Sequence, residues 1–403
     1  MYLKKSEIIE KLFYIIIAVY FVFSAMTMTM VEDIDAVALI AKLARYVCYV
    51  AFLFVITCNI VNFNTMLTIK GIVLDFVNYF RKHIILFLVL CNTMLILLSS
   101  KARGPLVLVL LIWACSFYDF KKIIKLYFNV MFCFMIFTWG LSLLELVPEI
   151  IITRAGRQRF SLGFIYPLET MTFYLFLVIC HVYLKSKDYN WKEFGFTNII
   201  AYLLYALTDA RTSYYLVVGV SIIALFYAKT NVEVLLKKIS PKFCYTMVTV
   251  LVFAILGCGY FYNEDNRFLS KLNDLLSTRL ELMNRAFRNY GVSLFGEKIT
   301  WVGFGGQTDP ALVERTYNFV DCGYAKMLLD YGIIFAVLVC VGYALMYKYA
   351  IEKQDYILML AVTMILMVSI MEPRIVSIEM NPFVLLLSIL FMKENKSEFK
   401  FIT

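Results

Sequence analysis

Arginine side chains are the groups in this sequence best suited to chemistry, because they recur between long apolar segments. The planar guanidinium keeps its charge and can bind two oxygens of a phosphate or carboxylate at once, whereas the lysine ammonium is a hydrated point charge. The connections between the apolar segments form two alternating sets. One set is rich in lysine: it holds twenty-one cations, and Arg81 is its only arginine. The segregation predicts a cationic cavity for an anionic substrate on one face. The arginine-rich set of alternate connections holds fourteen cations, eleven of them arginine: Lys101, Arg103, Arg154, Arg157, Arg159, Arg211, Arg267, Lys271, Arg279, Arg285, Arg288, Lys298, Arg315 and Arg374.

Apolar segments must position these arginines. The sequence is 62% hydrophobic and 17% charged, its mean hydropathy is +0.79, and apolar runs of about 18 residues or more recur along it. The pattern predicts an all-α polytopic integral membrane protein, in which residues 1–403 form a single transmembrane domain of about twelve helices. We expect spans near residues 12–30, 37–58, 84–99, 105–118, 126–147, 163–184, 195–209, 212–228, 243–261, 323–347, 356–371 and 375–392.

One connection is far longer than the others. Residues 262–322 hold about sixty residues without an apolar run of spanning length, and such loops usually carry function. We therefore expect one large outer loop within the transmembrane domain. Residues 62–83 are expected to form an interfacial helix, and the second span is the weakest because it carries Lys42 and Arg45.

The distribution of lysines predicts the orientation of the chain. Connections that carry most of the positive charge normally stay in the cytoplasm, so the lysine-rich set, including both termini, is expected there. The arginine-rich set and residues 262–322 then lie outside, which indicates the cytoplasmic (inner) membrane of a bacterium. With this hydropathy, the net charge of +9 reflects topology and anionic membrane lipid, and no nucleic-acid partner is expected.

Several other kinds of site lack support in the sequence. The ten cysteines lie mostly in apolar runs and form no CxxC pair, so neither a metal nor a redox centre is expected. The glycine-rich "GFGG" at 303–306 precedes no strand–helix unit, which argues against a nucleotide site. His83 and His181 both lie at the lysine-rich ends of spans, so no histidine is expected beside the outer arginines. We therefore expect no cofactor, with arginines supplying the positive charge that a divalent ion would otherwise bring.

The arginine-rich face indicates a lipid-linked substrate. A polyprenyl-pyrophosphate-linked oligosaccharide would lie with its lipid between the helices and its pyrophosphate at the membrane surface. When a sugar leaves such a carrier, negative charge develops on the departing pyrophosphate, and preorganised cations lower that barrier. Outside the cell there is no nucleotide sugar or ATP, so the carrier itself must supply the activation.

Four segments resemble the Wzy-type O-antigen and capsular repeat-unit polymerases, a family related to O-antigen ligases. Ala210 stands where the family's turn has serine, and Tyr166 and Leu168 replace the histidine and asparagine of its frequent His-Pro-Asn. The order, spacing and common location of the segments carry the resemblance, and residues 1–150 contribute only hydropathy. The segments are "RFSLGFIYP" (159–167), "LTDARTSYY" (207–215), "LSTRLELMNRAFRNYGVSLFG" (276–296) and "VDCGYAKMLLDYGII" (320–334).

The resemblance implies a metal-independent glycosyltransferase that joins one lipid-linked glycan to a lipid-linked repeat unit. Arg211 and Arg279 would stabilise the leaving pyrophosphate, and Arg159 would place the other carrier. Asp321 or Glu372 would accept the hydroxyl proton, and Glu379 is a further candidate for orienting an arginine or acting as the base. A chain-length regulator and a flippase are the expected protein partners, beside membrane lipid. Further substrate contacts are expected from Arg157, Arg285, Arg288, Tyr324, Glu372 and Arg374.

Three alternatives remain open at this point. The outer arginines could form structural salt bridges with outer acids such as Glu149 and Glu281. An O-antigen ligase would share the membrane body, although relatives of that class generally keep an outer histidine. A lipid-linked oligosaccharide flippase would also have about twelve spans, but it should show two related halves and charges along its central spans.

Overall fold

The computed structural model describes residues 2–61, 68–154, 156–231, 233–237, 240–305, 313 and 316–390. Within these ranges the protein is mostly helical. The α-helices are α1 Tyr2–Ala25, α2 Asp35–Ile60, α3 Ile69–Lys82, α4 Ile84–Ser99, α5 Gly104–Cys115, α6 Phe120–Leu143, α7 Pro167–Lys185, α8 Trp191–Thr208, α9 Arg211–Lys229, α10 Glu233–Leu236, α11 Pro241–Tyr260, α12 Arg267–Leu275, α13 Arg279–Tyr290, α14 Gly323–Glu352 and α15 Tyr356–Val368. Two strands, β1 Ile151–Arg154 and β2 Arg157–Phe160, complete the set, with short 3-10 helices at Met26–Met28, Met30–Asp33, Ser186–Asp188 and Pro382–Leu390.

Six helices in the described ranges are long and apolar enough to cross a membrane: α1, α2, α6, α7, α9 and α14. The number becomes seven if α3 and α4, which meet at a bend of 101°, count as one broken span. Shorter apolar helices lie at Gly104–Cys115, Tyr245–Tyr260 and Tyr356–Val368. The predicted interfacial helix begins at Ile69 and has no buried residue; residues 62–67 of that prediction lie outside the described ranges.

The arginine-bearing connections gather on one side of the helical body, which we call the arginine side. Contacts that join distant connections show this. The backbone N–H of Met30 donates to the carbonyl of Gly163 over 2.9 Å, and Arg374 pairs with Glu169 at the start of α7. Arg45 also belongs here, because its guanidinium leaves α2 to reach Glu32 at 2.7 Å. This ion pair explains how the second apolar helix accommodates an arginine.

The lysine-bearing connections gather on the opposite side, which we call the lysine side. Lys122 at the start of α6 lies 3.4 Å from Glu10 of α1. Lys185 at the end of α7 lies 2.7 Å from Glu193 at the start of α8. These contacts place the two sets of connections on opposite sides of the helical body, although Lys326 lies on the arginine side beside Asp330.

A β-hairpin on the arginine side departs from the predicted all-α fold. Strands β1 and β2 are antiparallel, with Ile152 opposite Arg159. Gly156 lies in the turn with φ of 76°, a conformation that costs glycine little. Isoleucine and threonine favour strands, but the hydropathy of the flanking spans hides this short signal. The hairpin carries two of the predicted site arginines, Arg157 and Arg159.

The long connection 262–322 contains two short helices, α12 and α13, rather than loop alone. Helix α13 is anchored to the end of α11, because Asn284 Nδ2 donates to the carbonyls of Gly259 (3.2 Å) and Tyr260 (2.7 Å). Arg315, one of the predicted outer cations, lies outside the described residues.

Helix α14 is broken at Gly332, where residues 293–297 pack against it. Gly332 has φ of 83° and ψ of 174° inside the helix. The break frees one donor and one acceptor of the helix, and both find other partners: Ile333 N–H donates to Ser293 O, and Leu329 O accepts from Glu297 N–H, each over 3.0 Å. Thus "LFG" (294–296) and "YG" (331–332), from two of the four resembling segments, lie in contact.

The last predicted span, 375–392, does not form an α-helix in the described residues. Residues 369–381 run irregularly and lead into the 3-10 helix Pro382–Leu390. Prolines at 373 and 382 lack the N–H that a continuous helix needs. Buried side chains bind the exposed carbonyls instead: Tyr343 Oη donates to Ile375 O over 3.0 Å, and Tyr127 Oη to Glu379 O over 2.8 Å. Such backbone is tolerated at membrane depth only inside protein or beside a cavity.

Substituting Gly332 by alanine should weaken the break in α14. The positive φ strains any other residue, and a Cβ would overlap the carbonyl oxygen of Leu294. Strain of about 1–3 kcal/mol should lower the apparent melting temperature of the detergent-purified protein by about 5 °C or more. Gly219→Ala is the matched control, since nothing lies within 4 Å of its added Cβ. Equal melting of the Gly332→Ala variant and the wild type would contradict this account.

Candidate functional site

Arg159 is a buried cation without an opposing carboxylate in the described residues. Strand β2 turns it inward, and only 4% of the residue is exposed. Its Nε donates to the carbonyl of Thr208 over 2.7 Å, and its guanidinium carbon lies 5.9 Å from the ring centroid of Tyr166. The end of α8 offers partial negative charge, but a buried full charge normally has an ion partner. The geometry therefore suits an incoming anion.

Two more arginines flank Arg159 at the α8–α9 turn. Arg157 Nη1 and Arg211 Nε each lie 3.4 Å from the same oxygen, Asp209 Oδ1. Their side chains are 65% and 61% exposed, so these long pairs contribute little to stability. Asp209 ends α8 in the left-handed region, with φ of 48°. Together the three arginines outweigh one aspartate, and the group carries surplus positive charge.

Arg279 begins α13 and belongs to a second group. Its Nη1 donates to Leu276 O over 3.0 Å, and its Nη2 lies 3.5 Å from Asp321 Oδ2. The buried Nε has no hydrogen-bond partner among the described residues. Ser277 and Thr278 before it both have positive φ, of 53° and 65°. Consecutive residues in this region store strain, which is common where a side chain is held for function.

Arg374 lies at the centre of the second group and is fully engaged. Both of its terminal nitrogens donate to the carboxylate of Glu169, and Nη1 also donates to Glu372 over 2.8 Å. Burial raises the pKa of Glu372 to about 8; Arg374 opposes this rise, whereas Glu169 and Asp321 add to it. Burial therefore favours the protonated form of Glu372, and Arg374 binds the Glu169 carboxylate through both of its terminal nitrogens.

Asp321 connects Arg279 to the Arg374 group. Burial raises the pKa of Asp321, and Arg279, Arg374 and Lys326 all oppose that rise. Lys326 itself lies 3.1 Å from Asp330. Three cations thus face the carboxyl groups of Glu169, Asp321, Asp330 and Glu372, and the charges balance when Glu372 is protonated. Unlike the Arg159 group, this second group is close to neutral.

Tyrosine hydroxyls lie between the two groups. Tyr166 is beside Arg159, and Tyr317 lies within electrostatic reach of Tyr166, Asp321 and Arg279. Burial raises the pKa of Tyr317, as do Asp321 and Tyr166, whereas Arg279 lowers it. Tyr166 and Tyr317 therefore lie near both groups on the arginine side.

The remaining predicted residues lie elsewhere. Tyr324 is 1% exposed, and its hydroxyl donates to Leu366 O over 2.8 Å, so it ties α14 to α15. Arg285 and Arg288 share an exposed face of α13, where Arg285 pairs with Glu281 at 2.9 Å. Sequence reasoning left Glu169 out of the site. Its signal was an ionisable residue near the start of an apolar helix, where such groups are costly and often functional.

The comparisons with known proteins add no relative. Neither a protein-family model, nor a curated protein, nor a solved structure matches this chain. Within the ranges that the structure describes, no group of three or more His, Cys, Asp or Glu side chains could hold a metal ion. The groups available for chemistry in this region are its arginines, carboxyl groups and tyrosines.

The raised pKa of Glu372 makes stability depend on pH in a defined direction. The folded protein retains this proton from the ordinary pKa of 4.5 up to about 8, so the stabilisation is complete below that window and is lost as pH rises through it. Glu372→Gln imitates the protonated form and cannot ionise. Its apparent melting temperature should therefore rise relative to wild type between pH 5 and pH 9.

The control for this measurement is Glu145→Gln, because Glu145 is exposed on the same side. Its melting temperature should track the wild type at every pH. A Glu372→Gln difference that stays constant from pH 5 to pH 9 would show that Glu372 does not hold a proton at neutral pH.

Proposed function

We propose that this protein is a metal-independent glycosyltransferase of the bacterial cytoplasmic membrane. It transfers a polyprenyl-pyrophosphate-linked glycan onto a lipid-linked repeat unit, as the Wzy-type polymerases do. The observation that supports the proposal best is the buried guanidinium of Arg159, which lacks an opposing carboxylate in the described residues and has Arg157 and Arg211 beside it. Such surplus charge suits a ligand with several phosphate oxygens.

The proposed function requires a defined orientation of the chain in the membrane. The lysine side faces the cytoplasm with both termini, and the arginine side faces out with residues 262–322. The chain crosses the membrane about twelve times, with α8, the short apolar helices and the irregular segment 375–390 as crossings beside the long helices. The positive-inside rule supports this orientation, because the lysine-rich connections hold twenty-one of the cations.

The two arginine groups take different parts in the proposed transfer. Arg159, Arg157 and Arg211 bind pyrophosphate where their charge is uncompensated. The hydroxyl oxygen of the acceptor sugar forms a bond to the anomeric carbon of the donor, and the bond from that carbon to the pyrophosphate oxygen breaks. The electron pair leaves with polyprenyl pyrophosphate, whose added charge the arginines stabilise, and the proton of the attacking hydroxyl passes to the carboxylate of Asp321. Arg279, whose buried Nε has no hydrogen-bond partner among the described residues, acts as a further donor.

Arg159→Lys tests the guanidinium geometry rather than charge alone. Lysine keeps the charge but loses the fork that binds two oxygens, so transfer should fall about a hundredfold or more, since one lost donor costs roughly 2.7–4 kcal/mol in such sites. The measurement is the initial rate in proteoliposomes supplied with lipid-linked repeat units from cells that lack the protein.

The melting temperature distinguishes a pyrophosphate-binding role of Arg159 from a structural role. Because Arg159 has no ion partner in the described ranges, Arg159→Gln should abolish transfer while leaving the melting temperature unchanged or higher. Arg81→Lys, on an exposed face of α3, is the control and should retain full activity. Full activity in Arg159→Lys would contradict the pyrophosphate clamp, and joint loss of activity and stability would indicate a structural arginine.

Deletion of the gene tests the reaction itself. Transport of the lipid-linked repeat unit across the membrane and its attachment to the surface anchor do not require a polymerase. Cells without the protein should therefore still display single repeat units on their usual anchor. Gel separation of the surface glycan should show the single unit without the ladder of longer chains. Absence of every unit from the surface would contradict the polymerase and favour a ligase or a flippase.

A further inference from the structure

A cavity opens on the arginine side between α1, α2, α5, α14 and residues 376–379. It encloses about 260 Å³, near the lower end of small-molecule pockets, so it can hold a headgroup but not a whole lipid. Of the residues that line it, Arg103 and Thr27 are exposed, whereas Tyr20 and Ser24 are 3% and 2% exposed. The cavity therefore runs from a mouth at the protein surface to a buried base.

Two opposite charges line this cavity, and neither has an ion partner among the described residues. Arg103 donates through Nη1 to the hydroxyl of Tyr46 over 2.9 Å. Glu379 accepts a hydrogen bond from Ser24 Oγ. The two charges share one cavity without pairing with each other. Because a charge withdrawn from water normally needs a partner, the space between them suits a ligand that carries both an anion and a cation.

Arg45, the remaining charged side chain that lines the cavity, is already engaged. Its Nη2 donates to Glu32, and its Nη1 donates to the carbonyl of Phe23, each over 2.7 Å. Glu32 thus neutralises Arg45, and the uncompensated charges are one positive, from Arg103, and one negative, from Glu379. A zwitterion matches this balance. A pyrophosphate would leave Glu379 facing a further anion.

The base of the cavity suits an ammonium group. Tyr20, Tyr49 and Tyr331 line the cavity and lie within electrostatic reach of Glu379. A primary ammonium has three N–H donors and no acceptor, and a tyrosine hydroxyl can accept one of them. An ammonium here can therefore donate to the carboxylate and to neighbouring hydroxyls at once.

The mouth of the cavity suits a phosphate. The guanidinium fork of Arg103 can bind two phosphate oxygens. Tyr331 links this end to the base, because its hydroxyl lies 3.4 Å from the position that a Cβ would take on Gly104, the residue after Arg103. In phosphoethanolamine a single ethylene unit separates phosphate from ammonium, so both groups can lie in a cavity of this size.

The apolar surroundings indicate that the ligand is a lipid. Tyr46, which binds Arg103, lies on α2 one turn before Val50, and Val50 is 68% exposed on the same face. In a membrane such a face contacts lipid tails, so acyl chains can continue along α2 from a headgroup in the cavity. Apolar side chains also line the cavity itself: Val107, Leu108, Leu111 and Phe335.

We infer that this cavity binds the headgroup of an aminophospholipid of the phosphatidylethanolamine type, with the phosphate at Arg103 and the ammonium at Glu379. This lipid site is separate from the proposed transferase site and does not rest on the proposed function. A lipid that binds the folded protein at the junction of four helices raises its melting temperature, which gives a direct measure of binding.

Three lipids with identical acyl chains test the inference on the full-length protein in detergent. Phosphatidylcholine keeps the phosphate, but its methylated ammonium has no N–H, and phosphatidylglycerol has no cation. The measurement is the lipid concentration in mixed micelles that gives half of the maximal rise in melting temperature. Wild-type protein should bind phosphatidylethanolamine about tenfold or more tightly than either of the other two, since a hydrogen bond between charged groups contributes that much.

Two substitutions assign the ends of the headgroup. Glu379→Gln should bring phosphatidylethanolamine and phosphatidylcholine to within about threefold of each other, because the ammonium loses its counter-charge. Arg103→Gln should weaken the binding of both lipids by about tenfold or more. Glu145→Gln and Lys298→Gln remove exposed charges on the same side, and these controls should keep the wild-type preference.

The comparison of lipids on the wild type decides the inference even if a variant fails to fold. Equal binding of the three lipids would overturn it, and so would tightest binding of phosphatidylglycerol, which would assign the cavity to an anionic lipid. Water-soluble glycerophosphoethanolamine should compete only at far higher concentration. Competition at the same concentration as the lipid would show that a free headgroup is the ligand. Unchanged phosphatidylethanolamine binding in folded Glu379→Gln and Arg103→Gln would place the lipid elsewhere.

Discussion

The pairing of Arg374 with Glu169 is the interaction on which the arginine side depends. It joins the irregular segment 369–381 to the start of α7 across 205 residues of sequence. Both groups are largely buried, so loss of either partner would leave an uncompensated charge and cost about 3–5 kcal/mol. The pair fixes the position of Glu372 and places Arg374 within reach of Asp321, and through Asp321 it reaches Arg279.

The pair of Arg374 and Glu169 can organise the arginine side only because segment 369–381 is not helical. A continuous helix would satisfy its own carbonyls and would offer one face to each neighbour. The irregular chain instead receives hydrogen bonds from Tyr127 and Tyr343, which lie on two different helices. It can then present Arg374 to Glu169 and, further along the segment, Glu379 to Ser24.

The arginines of this side divide by how their charge is compensated. Arg374 is engaged by two carboxyl groups, and its neutral surroundings mark it as a structural and orienting residue. Arg159 is more deeply buried and has no carboxylate partner in the described part of the chain. Keeping such a charge reduces stability, and proteins commonly accept that cost where a ligand supplies the missing charge. Charge type alone therefore does not distinguish these arginines; the balance of charge around each one does.

The sequence by itself determined which segments are apolar and how lysine and arginine segregate, because hydropathy and charge are properties of local composition. Arg159, Arg211 and Arg279 were singled out within that set by the segments that resemble the Wzy-type polymerases, not by composition. Only the tertiary structure decided that Arg374 is engaged while Arg159 is not, since the carboxylate that decides it, Glu169, comes from a distant helix. The sequence also did not predict that residues 375–390 form an irregular segment and a 3-10 helix in place of an α-helix. Their hydropathy suits a span, but the hydrogen bonds that replace a helix come from side chains far away in the sequence.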